Sequence, residues 1–279
     1  MNPFPERRTS RTPSADPAAP EWLLQQREFT PARVLVGRAG AAYPTSTHLI
    51  LQADHAFARD AVHAELDLER DFGADLLRSL GLFEVQTEAS SRTEHLLRPD
   101  KGRRLSAQAK EAIASQAPRG AELQLIVGDG LSATAVAAHA PTLLPMLREE
   151  ADRLGIRFGR PFFVRYCRVG VMNDVGDLLD PEVVVLLIGE RPGMSTAESL
   201  SAYFGYRPRT GCTDADRNLI SNIHARGVTH RDAVRRILAL VQQMRRRRMS
   251  GVAVKEESAT LPPVQAEESL RARIPDLPT

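Results

Sequence analysis

VVVLLIG, residues Val183 to Gly189, is the stretch that decides the fold. It is uncharged, and Val183, Val184, Val185 and Ile188 are β-branched. Apolar residues run without alternation, as they do in a strand buried on both faces. Two comparable segments lie upstream: LQLIVG (Leu123 to Gly128) and FFVRYCRV (Phe162 to Val169). An Ala/Leu-rich helical stretch reaching Leu154 separates them. Strand, helix, strand and strand in this order predict an α/β chain with a doubly wound parallel sheet.

FFVRYCRV predicts one face with Phe163, Arg165, Cys167 and Val169, and another with Phe162, Val164, Tyr166 and Arg168. Arginines in an apolar strand are costly unless solvated on an edge or engaged with a subunit or ligand. Downstream, Thr229 and Asp232 form a T-x-x-D cap before Val234, Ile237, Leu238, Val241 and Met244 at helical spacing. The run Arg245 to Arg248 closes that helix, where cations complement the dipole.

Upstream, about Thr45 to Gln116 reads as mostly helical. Leu49, Ala53, Phe57 and Ala61 share one helical face, and Phe72, Leu76, Leu77 and Leu80 precede a terminating Gly81. Ser106 caps another helix. Pro3, Pro5, Pro13, Pro17 and Pro20 mark a flexible N-terminal arm, and Pro262, Pro263, Pro275 and Pro278 a similar tail. The expected organisation is an arm over 1–32, a mainly helical domain over 33–120, a sheet domain over 121–251 and a tail over 252–279.

With 279 residues, the chain can build a core without disulfides. Its two cysteines, Cys167 and Cys212, fit a reducing cytoplasm. The net charge of +2 argues against a dedicated nucleic-acid binder. No apolar run approaches the roughly 20 residues of a membrane span, and no apolar leader opens the chain.

VGDGLS (Val127 to Ser132) sits at a strand-to-helix junction, where small residues let a ligand approach the backbone or simply make a tight turn. It lacks the third glycine of a dinucleotide fingerprint. GERPG (Gly189 to Gly193) follows the most buried strand and aims Glu190 at the crevice beyond the strand ends, unless Glu190 pairs with Arg191 or another arginine. The seven histidines show no metal-ligand spacing, and no nucleophile elbow or Walker loop occurs. No acid–base pair or metal site emerges.

RPDKGRRLS (98–106), VGDGLS, PFFVRYCRVG (161–170), VVVLLIGERPG (183–193), ESLSAYFGYRPR (198–209) and DADRNLISNIH (214–224) occur in that order. Together they closely resemble the small (light) subunit of ethanolamine ammonia-lyase, from about Arg33 to Gly251. The resemblance implies a Rossmann-like domain and a helical one. It also implies a carbon–nitrogen lyase that converts ethanolamine to acetaldehyde and ammonia by radical chemistry that adenosylcobalamin supplies. A large subunit holds substrate, in a hetero-oligomer of several large and small pairs. The small subunit closes over the cobalamin and contributes no catalytic residue or metal ligand.

Three cobalamin contacts carry over by position: Val169, Glu190 and Leu219. The last stands where the family's D-R-x-C-I-S-N block has cysteine, which removes any thiol role there. The resemblance allows enclosure in a bacterial microcompartment, with Glu21 to Phe29 able to form a short helix in the arm. The rival readings are a stand-alone nucleotide-binding oxidoreductase on the same fold and a structural adaptor without a working site.

Overall fold

A computed structural model describes residues 21–25, 36–193 and 198–256. Most of the expected arm and tail therefore lies outside the described residues. The chain divides into two compact units, Met1–Phe57 with Glu256–Thr279, and Ala58–Lys255. The second holds a six-stranded sheet of β1 (Phe83–Gln86), β2 (Leu123–Gly128), β3 (Phe162–Arg165), β4 (Val183–Gly189), β5 (Leu200–Tyr206) and β6 (Arg217–Ile223). Their spatial order is β1-β3-β2-β4-β5-β6.

β1, β3, β2 and β4 are mutually parallel. β5 and β6 extend the sheet in antiparallel fashion, which corrects the expectation of a wholly parallel sheet. A parallel crossover takes about a dozen residues or more. The connections Glu190–Ser199 and Arg207–Asp216 are shorter than that, so each following strand returns beside its predecessor.

Every residue of β2 and β4 is buried, as their apolar runs, broken only by Gln124 in β2, predict. One sheet face packs Leu125, Val127, Phe163, Val185, Leu187 and Phe204 against α7 (Ala133–Arg153) and α9 (His230–Arg247). The other packs Ile126, Phe162, Val164, Val184, Leu186 and Ile188 against α6 (Ala107–Gln116) and α8 (Val171–Leu179). Each fully buried side chain of this size contributes about 1.5–3 kcal/mol. The chain is a mixed α/β protein with a mostly parallel sheet and helices on both faces.

The start of α9 follows the sequence reading: the Thr229 hydroxyl accepts the Asp232 amide at 3.2 Å and donates to its carboxylate at 2.9 Å. At the other end Arg245 reaches Glu182 at 2.7 Å, so part of the arginine run is paired and not merely solvated.

The N-terminal half holds α1 (Glu21–Gln25), α2 (Thr45–His63), α3 (Leu68–Phe72), α4 (Ala74–Leu80) and α5 (Arg92–Leu97). Two differences from the sequence reading stand out. Within the stretch read as mostly helical, Phe83–Gln86 forms a strand beside β3. In α2 the buried side chains are Thr47 and Asp54, while Leu49 and Phe57 are 58% and 68% exposed. The apolar stripe of that helix is therefore not a core face. Among the described residues, no helix is long and apolar enough to cross a membrane.

β3 ends at Arg165, because Tyr166 takes a left-handed conformation (φ 56°). The alternation expected through Val169 therefore stops there. Arg165 is neither on an edge nor awaiting a ligand. Its Nε donates to Glu84 Oε1 on β1 at 2.5 Å, and its Nη1 to the Leu66 carbonyl at 3.1 Å. Arg168 donates to the His95 carbonyl at 3.1 Å.

Candidate functional site

In parallel sheets ligand sites form beyond the carboxyl ends of the strands. Val169 follows β3 at that edge, half-buried and packed against the core of the α6/α8 face. Glu190 follows β4 at the same edge, on the far side of β2. Its amide donates to the Ser199 carbonyl at 2.9 Å, which fixes the entry to β5.

The Glu190 carboxylate makes no ion pair with Arg191 or any other arginine among the described residues. Oε2 accepts the Ser199 hydroxyl at 2.8 Å; Oε1 accepts the Ser201 hydroxyl at 2.5 Å and the Asn222 amide at 3.0 Å. It therefore clamps both strands of the β5–β6 hairpin. Asn222, at the far end of β6, sits in the left-handed region (φ 59°) where its amide meets the carboxylate. A carboxylate oxygen has two lone pairs. Oε1 is saturated, and Oε2 keeps one acceptor position.

Register places Leu219 in relation to these groups. Leu186 of β4 pairs with Tyr203 of β5, and Tyr203 with Leu219 of β6. Directly paired residues share a sheet face, and Leu186 belongs to the α6/α8 core. Tyr203 and Leu219 therefore continue that face beyond the region α8 covers. Tyr203 is half-buried and Leu219 is 46% exposed. Burial, then Asp214 and Glu190, push the Tyr203 phenol upward, keeping it neutral.

All three positions singled out in the sequence thus lie on one face. Glu190 reaches the hairpin that bears Leu219 directly, while Val169 stands apart across β2. Asn173 of α8 ties the two sides together, accepting Arg217 Nη2 at 2.9 Å and donating to the Cys212 carbonyl at 2.9 Å.

VGDGLS holds its own chain rather than a nucleotide. A side chain at Gly128 would meet Cys167 Sγ at 2.6 Å; one at Gly130, the Gly189 carbonyl at 2.3 Å; one at Gly189, the Ser132 carbonyl at 2.0 Å. Asp129 is buried and takes the amides of Tyr166 and Cys167 at 2.9 and 2.8 Å, with Arg92 at 3.3 Å. Burial pushes its carboxyl upward, and Arg92 and the two amides oppose that shift. Burial also drives the Cys167 thiol well up, which leaves it unreactive.

Sequence reasoning missed Ser199, Ser201, Tyr203 and Asn222. The one available signal is the two-residue spacing of Ser199 and Ser201, which puts both hydroxyls on one side of an extended segment.

A family model described as ethanolamine ammonia-lyase light chain matches residues 20–255. The chain belongs to the ethanolamine ammonia-lyase small-subunit family. The small subunit of Bradyrhizobium diazoefficiens is 42% identical over 264 residues, covering 92% of this chain and 99% of the relative. That of Clostridium perfringens is 39% identical over 240 residues, covering 86% and 79%. The Listeria monocytogenes small subunit is 38% identical over 240 residues, covering 86% and 80%. In this chain Leu219 lies on the β5–β6 hairpin, and Val169 and Glu190 lie in the loops after β3 and β4.

Proposed function

We propose that this small subunit binds one side of adenosylcobalamin in an ethanolamine ammonia-lyase, through Val169, Glu190 and Leu219, while a large subunit holds ethanolamine. The complex is a hetero-oligomer of several large and small pairs. The four parallel strands, with helices on both faces, support reading this half of the sheet as Rossmann-like and doubly wound.

The observation that carries the proposal is the state of the Glu190 carboxylate. Three donors of its own chain fix it in place and leave a single acceptor position on Oε2, beside the part of the sheet that continues past α8 to Tyr203 and Leu219. The donor set fits the group. Corrin amides and the ribose hydroxyl of the nucleotide tail offer N–H and O–H donors to that lone pair. Tyr203 and Leu219 offer apolar area beside it, and Val169 adds a second apolar contact at the end of β3.

When bound, adenosylcobalamin supplies the radical chemistry, and the protein supplies binding and orientation. Glu190 orients by accepting one hydrogen bond from a rigid position. Leu219 and Val169 exclude water by contact. The rival oxidoreductase reading loses its support, since the spaces beside Gly128, Gly130 and Gly189 are filled by this chain.

Glu190→Gln tests the assignment. The remaining oxygen can still serve Ser201 and Asn222, and the new amide can donate to the Ser199 hydroxyl, which rotates to accept. The hairpin therefore survives while the free acceptor position is lost. A charge-assisted bond of about 1.5–3 kcal/mol corresponds to a roughly ten- to hundredfold rise in the cobalamin dissociation constant of the assembled complex. Unchanged affinity in an assembled Glu190→Gln complex overturns the contact.

A further inference from the structure

We propose that His139 is a positioning residue for the cofactor-contact site, tying the entry of β5 to α7 and α9 and weakening that tie when its contact with His230 takes up a second proton. The proposal rests on the cofactor reading of Glu190 given above.

His139 projects from α7 and is only 7% exposed. Its Nε2 lies 2.8 Å from the carbonyl of Glu198, and its Nδ1 lies 2.9 Å from Nε2 of His230, the first residue of α9. A carbonyl only accepts, so His139 Nε2 must carry a hydrogen. In the neutral ring Nδ1 is then bare, and His230 Nε2 donates to it. Glu198 directly precedes Ser199, whose carbonyl accepts the Glu190 amide and whose hydroxyl donates to the Glu190 carboxylate. One histidine thus reaches Glu190 through two consecutive residues.

The pair can hold one extra proton. A proton on His230 leaves the Nε2–H to Nδ1 bond intact, and a proton on His139 merely reverses its direction. A second proton sets N–H against N–H at 2.9 Å and breaks the contact. The charged groups around His139 are His230 from α9, His224 from the end of β6 and Glu198 from the loop before β5. Burial disfavours the charged ring most, and His230 and His224 add to this, against the Glu198 carbonyl and carboxylate. Because the folded site prefers neutral His139, the link to His230 is intact above the ordinary histidine value of 6.5 and is broken only below it, while the Nε2–H bond to the Glu198 carbonyl persists.

The experiment measures the cobalamin dissociation constant of the assembled complex across roughly pH 8 to 5 for the wild type, His139→Gln and His139→Asn. The amide of His139→Gln can keep the Nε2 bond to Glu198 and does not titrate. The side chain of His139→Asn is too short to reach. The wild type should lose affinity at least about fivefold more steeply than His139→Gln towards low pH. His139→Asn should bind about tenfold more weakly at neutral pH, the value of one buried hydrogen bond.

A His139→Gln complex that keeps the full wild-type pH slope overturns the proposal, as does a His139→Asn complex that binds normally. Glu190→Gln, measured alongside, separates the two levels. If it weakens binding while His139→Asn does not, the positioning role alone is lost. If neither changes affinity, the cofactor reading falls as well.

Discussion

Asp129 fixes the turn at Tyr166: its Oδ2 accepts the Tyr166 amide at 2.9 Å, where the backbone turns left-handed at the end of β3. Oδ1 takes the next amide, Cys167, at 2.8 Å, so the loop that carries Val169 leaves the sheet in one direction only. The acidic residue of VGDGLS thus aims a neighbouring loop. Its counter-ion Arg92 is itself 5% exposed and also donates to the Val62 and Gly130 carbonyls.

Asp129→Asn should destabilise the chain by roughly 3–5 kcal/mol, the cost of breaking a buried pair and stranding its partner. Urea unfolding at neutral pH reads it, and adding Arg92→Met should recover part of the loss. A midpoint unchanged by Asp129→Asn would show that the two amides and Arg92 do not depend on the charge.

Gly189→Ala should cost about 3 kcal/mol or more, since the new methyl would meet the Ser132 carbonyl at 2.0 Å, and neither backbone can retreat from a fully buried strand junction. Gly120→Ala is the comparison. That residue has a left-handed φ (72°), which Gly189 does not, and open space surrounds its missing side chain. A loss at Gly189 no larger than that at Gly120 would mean that close packing of β4 on VGDGLS is not what demands glycine at position 189.

What could be read in advance follows from where burial is two-sided. β2 and β4 announce themselves because both their faces are covered: Val183–Ile188 is wholly apolar, and in Leu123–Val127 the one polar residue, Gln124, is buried with its amide donating to the Leu125 and Arg160 carbonyls. β6 stays silent for the opposite reason: it is only partly buried, with Leu219 and Asn222 exposed, and its sequence looks like a polar loop. β1 is only four residues long and lies between helical patterns. In α2 the apolar period marked the wrong face, since periodicity identifies a helix and not what packs against it. The position of Glu190 at the end of β4 is legible because it directly follows a legible strand. Its partners Ser201 and Asn222 lie on strands that were not legible, and they come together only through the hairpin.

Leu219→Arg should leave stability within about 0.5 kcal/mol, because the side chain is 46% exposed and packs in no core cluster. The same change should weaken cobalamin binding by the assembled complex several-fold, since it replaces apolar contact with a charge beside Arg217 on the same strand. Thermal unfolding and cofactor titration are read together. Normal affinity with normal stability would remove Leu219 from the contact set and leave Glu190 and Val169.

The acid sensitivity of the fold should trace in part to His95. Its ring is fully buried, and Nε2 lies 3.0 Å from the Gly130 carbonyl, so that nitrogen carries the hydrogen and Nδ1 is bare. Burial, with Arg168 and Arg92 adding to it, lowers its pKa from the ordinary 6.5 to about 4. The folded state therefore binds this proton later than the unfolded chain does. The resulting stability is fully present above 6.5 and is lost as pH falls towards 4. That span is worth about 3 kcal/mol. His95→Gln can keep a donor to the Gly130 carbonyl and removes the titration. Urea unfolding at neutral pH and near pH 4 should show the wild type losing about 3 kcal/mol more than His95→Gln over that interval. Equal losses in both proteins would mean that His95 takes up its proton without leaving the folded site, and that other groups set the acid limit.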